Sequence, residues 1–454
     1  MMEHKASDYE CVKKYPILRG YLEHFKQVSI NNEIPGLISF FFILGQVAVP
    51  FVRIPIKGSN LDPRVNMFWI QDTRTGKSAA YQIIEKILKE SGLNSQDYNS
   101  GNDAALVGTL VPDPESEDAR NPTMIVREGI LAGRKGLNFD EGSVILKTGQ
   151  HNENTTLFLQ SALNSAGTGR NYLTKHMARD SFRVKSEVSL WITTYPPKGI
   201  KEHVLDKGIF QRVLTYWRQW TLEMKKAVNH ELADGVYSDD VMEVSFGEVV
   251  DFFKESQKAL KRRVLNLTDI PPLEWNEMTE DEREEVVMKL MKVMFRPDEA
   301  YRPALISAID EYYSIVEKMS PDKQGICASF IMGLQNYTNI LAHHMAMIEG
   351  TWVVRGDHID MAKEILFDLY QNLIQWLESE VNIGAGASEK NKMQGLWKKA
   401  FSKSELFDFD DHRGTGWAKK KEVMDVFGKL ANFNSHASIN SKFNMYASEM
   451  FKDT

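Results

Sequence analysis

Cysteine is nearly absent: Cys11 and Cys327 are the two in 454 residues, and neither stands in a CxxC or Cys/His spacing. That argues against a disulfide framework and against a structural zinc site, and it favours a reducing interior. Positive charge is not in excess either. Lysine and arginine number 55 against 62 aspartates and glutamates, a formal −7. A surface coated throughout for nucleic acid is thereby excluded, while a local basic lining is not. The 29 glycines and 15 prolines carry no collagenous or low-complexity bias, and no internal repeat is visible. Long apolar runs are missing except for Ile34 to Val52. Its length would just cross a bilayer, but Pro35 suits a first helical turn, Gly45 and Gln46 interrupt the apolar face, and Pro50 closes the segment. We read it as a buried helix of a soluble protein. The first 25 residues are polar and charged, so no cleavable signal is expected.

What remains is an ordinary globular composition, 43% hydrophobic and 26% charged, long enough for two to four domains at roughly 150 residues each. A helical lead-in precedes the strand-like Val65 to Ile70. From there to about residue 245 strands and helices alternate: a helix over Ala79 to Glu90, a strand over Ala104 to Val111, an apolar step at Leu137 to Phe139, a helix near Thr156 to Asn164, and a strand over Val188 to Tyr195. Such alternation predicts βαβ units and a mainly parallel sheet. Pro112 to Asn121 reads as an acidic loop. Beyond residue 245 helical spacing dominates, with Thr279 to Glu282 forming a capping box before Glu280 to Met294. After the polar linker at Gly384 to Asn391, two helices with basic flanks (Lys419 to Lys421) form a terminal module that suits either DNA binding or plain packing.

The sharpest chemical signal ends the first core strand: Gln71-Asp72-Thr73-Arg74-Thr75-Gly76-Lys77-Ser78. Against GxxxxGK[ST] it keeps the Gly-Lys-Ser end and carries Gln71 where the leading glycine would stand. A strand delivers the loop and a helix follows, so backbone N–H groups can face a phosphate. Lys77 would reach the β- and γ-phosphates of ATP, and the Ser78 hydroxyl would ligate Mg²⁺. A carboxylate partner is expected some 60 residues on, at Asp140-Glu141, with Asp140 serving the metal and Glu141 orienting the attacking water. Thr193 and Thr194 end the strand that follows. Thr194 is preferred by position as the γ-phosphate sensor, although alternation does not separate the two. Arg212 stands in an apolar stretch and needs an anion, either a phosphate in a neighbouring subunit or a carboxylate such as Glu141 or Asp206. Between these, Gly167 to Glu187 carries Arg170, Lys175, Arg179, Arg183 and Lys185 against two acidic residues, interleaved with Tyr172, His176 and Phe182. That mixture suits phosphate contact plus base stacking on a single strand, or a solvated face.

In this order, IPGLISFFFILGQVAV, strand-GKS-helix, AALVGTL, FDEG, a basic insertion, TTYPP and GIFQRVL, the chain resembles the helicase-like P-loop ATPases of phages, viruses and mobile elements, relatives of primase–helicase motor domains. The later LAHHMAMIEG and HIDMAKEILFDL are similar to that family's helical region, so the resemblance spans about residues 30 to 385. It implies a RecA/AAA-like P-loop core of class α/β over 56–245, after a lead-in at 1–55. A helical domain over 246–390 and a helical or winged-helix-like module over 391–454 would follow. It also implies an ATPase that moves on single-stranded or forked DNA as a ring-forming, hexameric, replicative-type helicase, with other replication proteins as partners and the host-cell cytoplasm as its place. By the same resemblance Lys77 and Ser78, with Thr73 to Gly76, are nucleotide contacts, Asp140 and Glu141 the metal and water residues, and Arg212 a trans arginine. No primase zinc finger or carboxylate set accompanies it. The rival expectations are a nucleotide-gated loading factor that does not unwind, and a structural protein with a vestigial loop.

Overall fold

The computed structural model describes residues 5–98, 103–116, 123–140, 142, 152–176, 181–196, 208–235 and 246–381. Further on it describes 393, 396–397, 399–401, 406–410, 415–418, 420–431 and 435–446. The chain divides into two units: residues through Met319 with Gln324–Val381, and Ser320–Lys323 with Asn382–Thr454. The fold is mixed α/β.

After a short helix at Glu10–Lys14, the first unit continues with helix α1 (Pro16–Val28) and helix α2 (Glu33–Ala48). From Pro35 to Ala48 every residue of α2 is buried, the mark of a helix that is apolar all round. Large side chains gain about 1.5–3 kcal/mol each from such burial. Among the described residues no helix is long and apolar enough to cross a membrane. Of its two buried polar side chains, Ser39 donates to the Gly36 carbonyl (2.6 Å), and Gln46 donates to Ser189 Oγ (2.7 Å) and to the Glu187 carbonyl (3.2 Å). A Cβ at Gly45 would stand 2.6 Å from the Pro63 carbonyl oxygen, so glycine is what allows α2 to lie against the segment leading into the sheet.

Five parallel strands form that sheet: β1 (Met67–Gln71), β2 (Ser95–Tyr98), β3 (Gly136–Phe139), β4 (Ser189–Thr194) and β5 (Leu214–Arg218). Their order is β5-β1-β4-β3-β2. β1 and β4 are buried along their whole length, as expected of central strands covered on both faces. Trp69 and Trp191 meet edge to face in the core, and Phe42 of α2 packs on Trp191. Helix α3 (Lys77–Glu90) follows β1 and helix α4 (Asn152–Ala162) follows β3.

One expectation about this region is corrected. Ala104 to Val111 is not a core strand: Asp103–Val107 is a short helix, and Gly108–Pro112 pairs antiparallel with Met124–Glu128 in a hairpin outside the main sheet. Gly108 sits at φ +116, and a Cβ there would lie 2.4 Å from the Arg127 carbonyl oxygen, so the backbone turns away from the sheet at that point. The second core strand is instead the polar Ser95–Tyr98, an edge strand with one neighbour. The basic insertion is a second antiparallel hairpin, Tyr172–His176 with Ser181–Lys185, directly ahead of β4.

Helices then take over: α5 (Gly247–Thr268), α6 (Glu280–Met294), α7 (Tyr301–Glu317), α8 (Ile331–Glu349) and α9 (Gly356–Trp376). The capping box is formed, with Thr279 accepting from Glu282 N and the Glu282 carboxylate accepting from Thr279 N. α9 covers the free edge of β5. Asn372 accepts from Trp217 N and donates to Trp217 O, both at 2.7 Å, so one side-chain amide stands in for a neighbouring strand. Within the second unit a strand pair, Leu406–Asp410 with Thr415–Ala418, precedes helices Lys420–Ala431 and His436–Tyr446. Its core centres on Trp397 stacked on Phe427 at 3.6 Å.

Candidate active site

The loop after β1 is shaped by two residues in the left-handed region, Arg74 (φ +59) and Gly76 (φ +86). Thr75 is buried and its hydroxyl donates to the Asp72 carbonyl (2.7 Å), whereas Thr73, Arg74 and Ser78 are exposed. Two residues from the α1–α2 turn hold the loop from behind. Asn32 Nδ2 donates to the Thr75 carbonyl at 2.8 Å, and Ser29 Oγ donates to the Gly76 carbonyl at 3.0 Å. In a trans peptide the N–H points opposite to its C=O. Anchoring those two carbonyls on Asn32 and Ser29 therefore turns the N–H groups of Gly76 and Lys77 the other way. The first turn of α3 adds N–H groups that no helix carbonyl takes. The result is a concave set of donors suited to an oxyanion.

Gln71 stands where the pattern GxxxxGK[ST] has its leading glycine. The side chain is fully buried, its Oε1 accepting from Trp69 Nε1 (2.8 Å) and its Nε2 donating to Asn32 Oδ1 (2.9 Å) and to the Thr75 carbonyl (3.3 Å). It ends the strand and points into the core, not across the loop mouth. The Lys77 amine donates to the Gln71 and Asp72 carbonyls, both at 2.6 Å, and the Asp72 carboxylate pairs with Lys225 at 2.5 Å.

The register brings three chain segments to one edge of the sheet. Thr194 lies beside Ile70 of β1, and Ile192 beside Phe139 of β3. The tip of β4 thus sits between the Lys77 loop and Asp140, with β1 and β3 about 10 Å apart across it. Thr193 Oγ1 donates to Asp140 Oδ1 at 2.8 Å. The Thr194 hydroxyl turns instead to the Tyr195 carbonyl. Thr193 therefore orients the exposed Asp140 carboxylate, while Thr194, the expected γ-phosphate sensor, ends the same strand beside Ile70. Glu141 lies outside the described residues. Arg218, unforeseen in the sequence, ends β5 level with Gln71 and donates to the Asn31 carbonyl.

Arg212 lies elsewhere. It precedes Leu214, which is level with Met67 at the start of β1, so it occupies the opposite edge of the sheet from Lys77, on the order of 13–17 Å away along the strand. Its Nη1 donates to the Gly208 carbonyl (2.6 Å), burial pushes its pKa down, and no carboxylate among the described residues pairs with it. Asp206, like Glu141, is outside that set.

On the basic hairpin the register places Tyr172, Thr174 and His176 on one face with Ser181, Arg183 and Lys185. The Arg183 guanidinium lies 4.2 Å from the centre of the Tyr172 ring. Lys185 is bound to Glu284, to Asp281 at 3.3 Å and to Glu187 at 3.7 Å, tying the hairpin base to α6. Lys175 falls on the other face and donates to the Gly108 carbonyl. Arg170 is exposed just ahead of the hairpin, and Arg179 is outside the described residues.

Among the described residues no three His, Cys, Asp or Glu side chains gather in a way that could hold a metal. Ser78 and Asp140 would offer two hard oxygen donors, the type Mg²⁺ takes when water and phosphate complete its shell. Sequence reasoning missed Ser29, Asn32 and Lys225 because they act on the loop from distant positions with no local pattern. No protein-family model matches this chain, and no curated protein matches it either.

Proposed function

We propose that this chain is an ATP-dependent motor on DNA, built on a RecA/AAA-like P-loop core and working as a ring of six copies in the manner of a replicative helicase. The observation that carries the reading is the edge shared by the Lys77 loop on β1, Thr193 on β4 and Asp140 on β3, within the order β5-β1-β4-β3-β2. In open parallel sheets ligands bind outside the carboxyl ends of the strands, where the order switches direction.

In this reading the phosphates of ATP settle on the N–H groups of Gly76 and Lys77, and the Lys77 amine leaves its two carbonyls for the β- and γ-phosphates. Ser78 and Asp140 hold Mg²⁺, which when bound neutralises phosphate charge. Thr193 keeps the Asp140 carboxylate aimed, and Glu141 positions the attacking water. Arg212 stands too far from its own loop to act in cis, so its contribution is to the phosphate of a neighbouring copy. Arg170, Arg179 and Arg183 grip the strand from the hairpin, with Tyr172 as a stacking partner. Lys175 contributes charge from the hairpin's flank, whereas Lys185, neutralised by Glu284, Asp281 and Glu187, fastens the hairpin base to α6.

The test is steady-state ATP hydrolysis by the full chain with Mg²⁺, with and without single-stranded DNA. Lys77→Ala is expected to abolish it, and equal rates in wild type and variant refute the reading. The loading-factor reading draws on the Lys77 amine closing on its own loop, a lock that phosphate would open. DNA-stimulated hydrolysis without strand displacement would select it.

A further inference from the structure

A cavity of about 330 Å³ lies between the segment Pro50–Arg53, the base of the basic hairpin, and helices α5 and α6. It is well separated in sequence from the Lys77 loop and shares no residue with it. Six cationic side chains line it against three carboxylates.

Their partners divide the six into two groups. Lys185 is neutralised by Glu284, Asp281 and Glu187, Arg53 stands 3.5 Å from Glu284 and 3.7 Å from Glu187, and Lys258 pairs with Glu255 at 2.7 Å. The other three have no carboxylate partner among the described residues. Lys261 donates to Asn276 Oδ1 (2.8 Å), Arg283 donates to the Trp275 and Asn276 carbonyls, and Arg134 has no hydrogen-bond or ion-pair partner among the described residues. The third lining carboxylate, Glu280, opens α6, where the helix N-terminus already offsets its charge. Arg53 is almost wholly buried, and its Nε has no acceptor. A cluster that only fastened the hairpin to α6 would need Lys185 and its carboxylates alone. The surplus of cations and donors calls for an anion.

One wall is not ionic. Phe51 and Trp275 stack at 6.4 Å beside Pro50, a surface suited to a sugar or base edge and not to a bare inorganic ion. The volume falls at the lower end of the roughly 300–1,000 Å³ typical of small-molecule sites. We propose that this cavity is a second phosphate site that takes one nucleotide unit, its phosphate toward Arg134, Lys261 and Arg283 and its apolar part against Phe51 and Trp275. That chemistry is supplied equally by a free nucleotide or by a nucleotide within a bound strand.

The experiment uses the full chain carrying Lys77→Ala, with and without Arg134→Ala and Lys261→Ala together. Fluorescent ADP and a labelled oligothymidylate are titrated separately by anisotropy. Removing the two cations is expected to weaken one probe by about tenfold or more. Loss for ADP alone identifies a free nucleotide. Loss for the oligonucleotide alone, with a salt dependence shallower by about one to two charges, identifies the strand. Unchanged binding of both probes overturns the proposal. If the double variant melts early, Arg134→Gln decides the matter, because that side chain has no hydrogen bond or ion pair among the described residues to lose and its removal alone should weaken the same probe severalfold. No change there is likewise refuting.

Discussion

Asn32→Ala is the perturbation that tests how the Lys77 loop is held. Asn32 is fully buried and makes three side-chain hydrogen bonds: to the Thr75 carbonyl (2.8 Å), to Ser29 Oγ (3.0 Å) and from Gln71 Nε2 (2.9 Å). Each neutral bond contributes about 1 kcal/mol net, and a buried group left without a partner costs about 1–3 kcal/mol. Truncation leaves Gln71 Nε2 with only its 3.3 Å bond to the Thr75 carbonyl. A loss of about 2–4 kcal/mol follows, read from urea unfolding by tryptophan fluorescence. Ser29→Ala removes the bond to the Gly76 carbonyl and one acceptor for Asn32, so its loss should be smaller, about 1–2 kcal/mol. Without the Asn32 anchor the Thr75–Gly76 peptide plane no longer aims its N–H at the point the Lys77 N–H faces. ATP affinity should fall at least about tenfold in Asn32→Ala, which is 1.4 kcal/mol. A stability loss below about 1 kcal/mol, or the reverse ranking of the two variants, would refute the idea that this strut replaces the missing glycine.

Three further outcomes are expected. Asp62→Ala leaves the almost fully buried Arg64 without its bidentate carboxylate, so equilibrium unfolding should show about 3–5 kcal/mol lost; a loss under 1 kcal/mol would contradict that. Thr193→Val keeps the shape of β4 but drops the bond to Asp140. Stability should stay within about 1 kcal/mol while ATP turnover falls about tenfold or more, and unchanged turnover would remove Thr193 from the site. Burial pushes His343 down to about 4 and His344 to about 3, below the unfolded value near 6.5. The unfolded chain therefore binds protons first as pH falls, and stability present at pH 7 is lost on acidification by about 2 kcal/mol per histidine by pH 5. His344→Gln should flatten that limb in urea melts at pH 7 and pH 5; an unchanged slope would show that His344 does not contribute to it.

What the residues announced locally was largely what burial and backbone chemistry impose locally. The apolar strand before Gly76-Lys77-Ser78, the helix after it, the all-apolar α2 and the Thr279 capping box each carry their signal within a few residues, because periodicity and capping are short-range properties. Asp140 at the end of an apolar step was legible for the same reason. Beyond that range the signal fails in both directions. Ser95–Tyr98 carries no apolar pattern yet forms β2, since an edge strand needs one neighbour's backbone and not an apolar side-chain pattern. Ala104 to Val111 reads as strand yet turns off the sheet at Gly108.

Only the tertiary structure decided that Asn32 and Ser29 hold the loop from forty-odd positions away. It also decided that Thr193 and not Thr194 meets Asp140, that Arg212 lies at the far edge from Lys77, and that Lys185 is already neutralised by α6. A hydrogen bond between distant segments constrains one atom of each partner and leaves the neighbours of both free, so it writes no pattern along the chain. The near-absence of cysteine and the lack of cationic excess belong with the local signals: they excluded covalent staples and a wholly basic surface from composition alone. Where the cations stand, three of them around one cavity without a carboxylate partner among the described residues, was settled by folding.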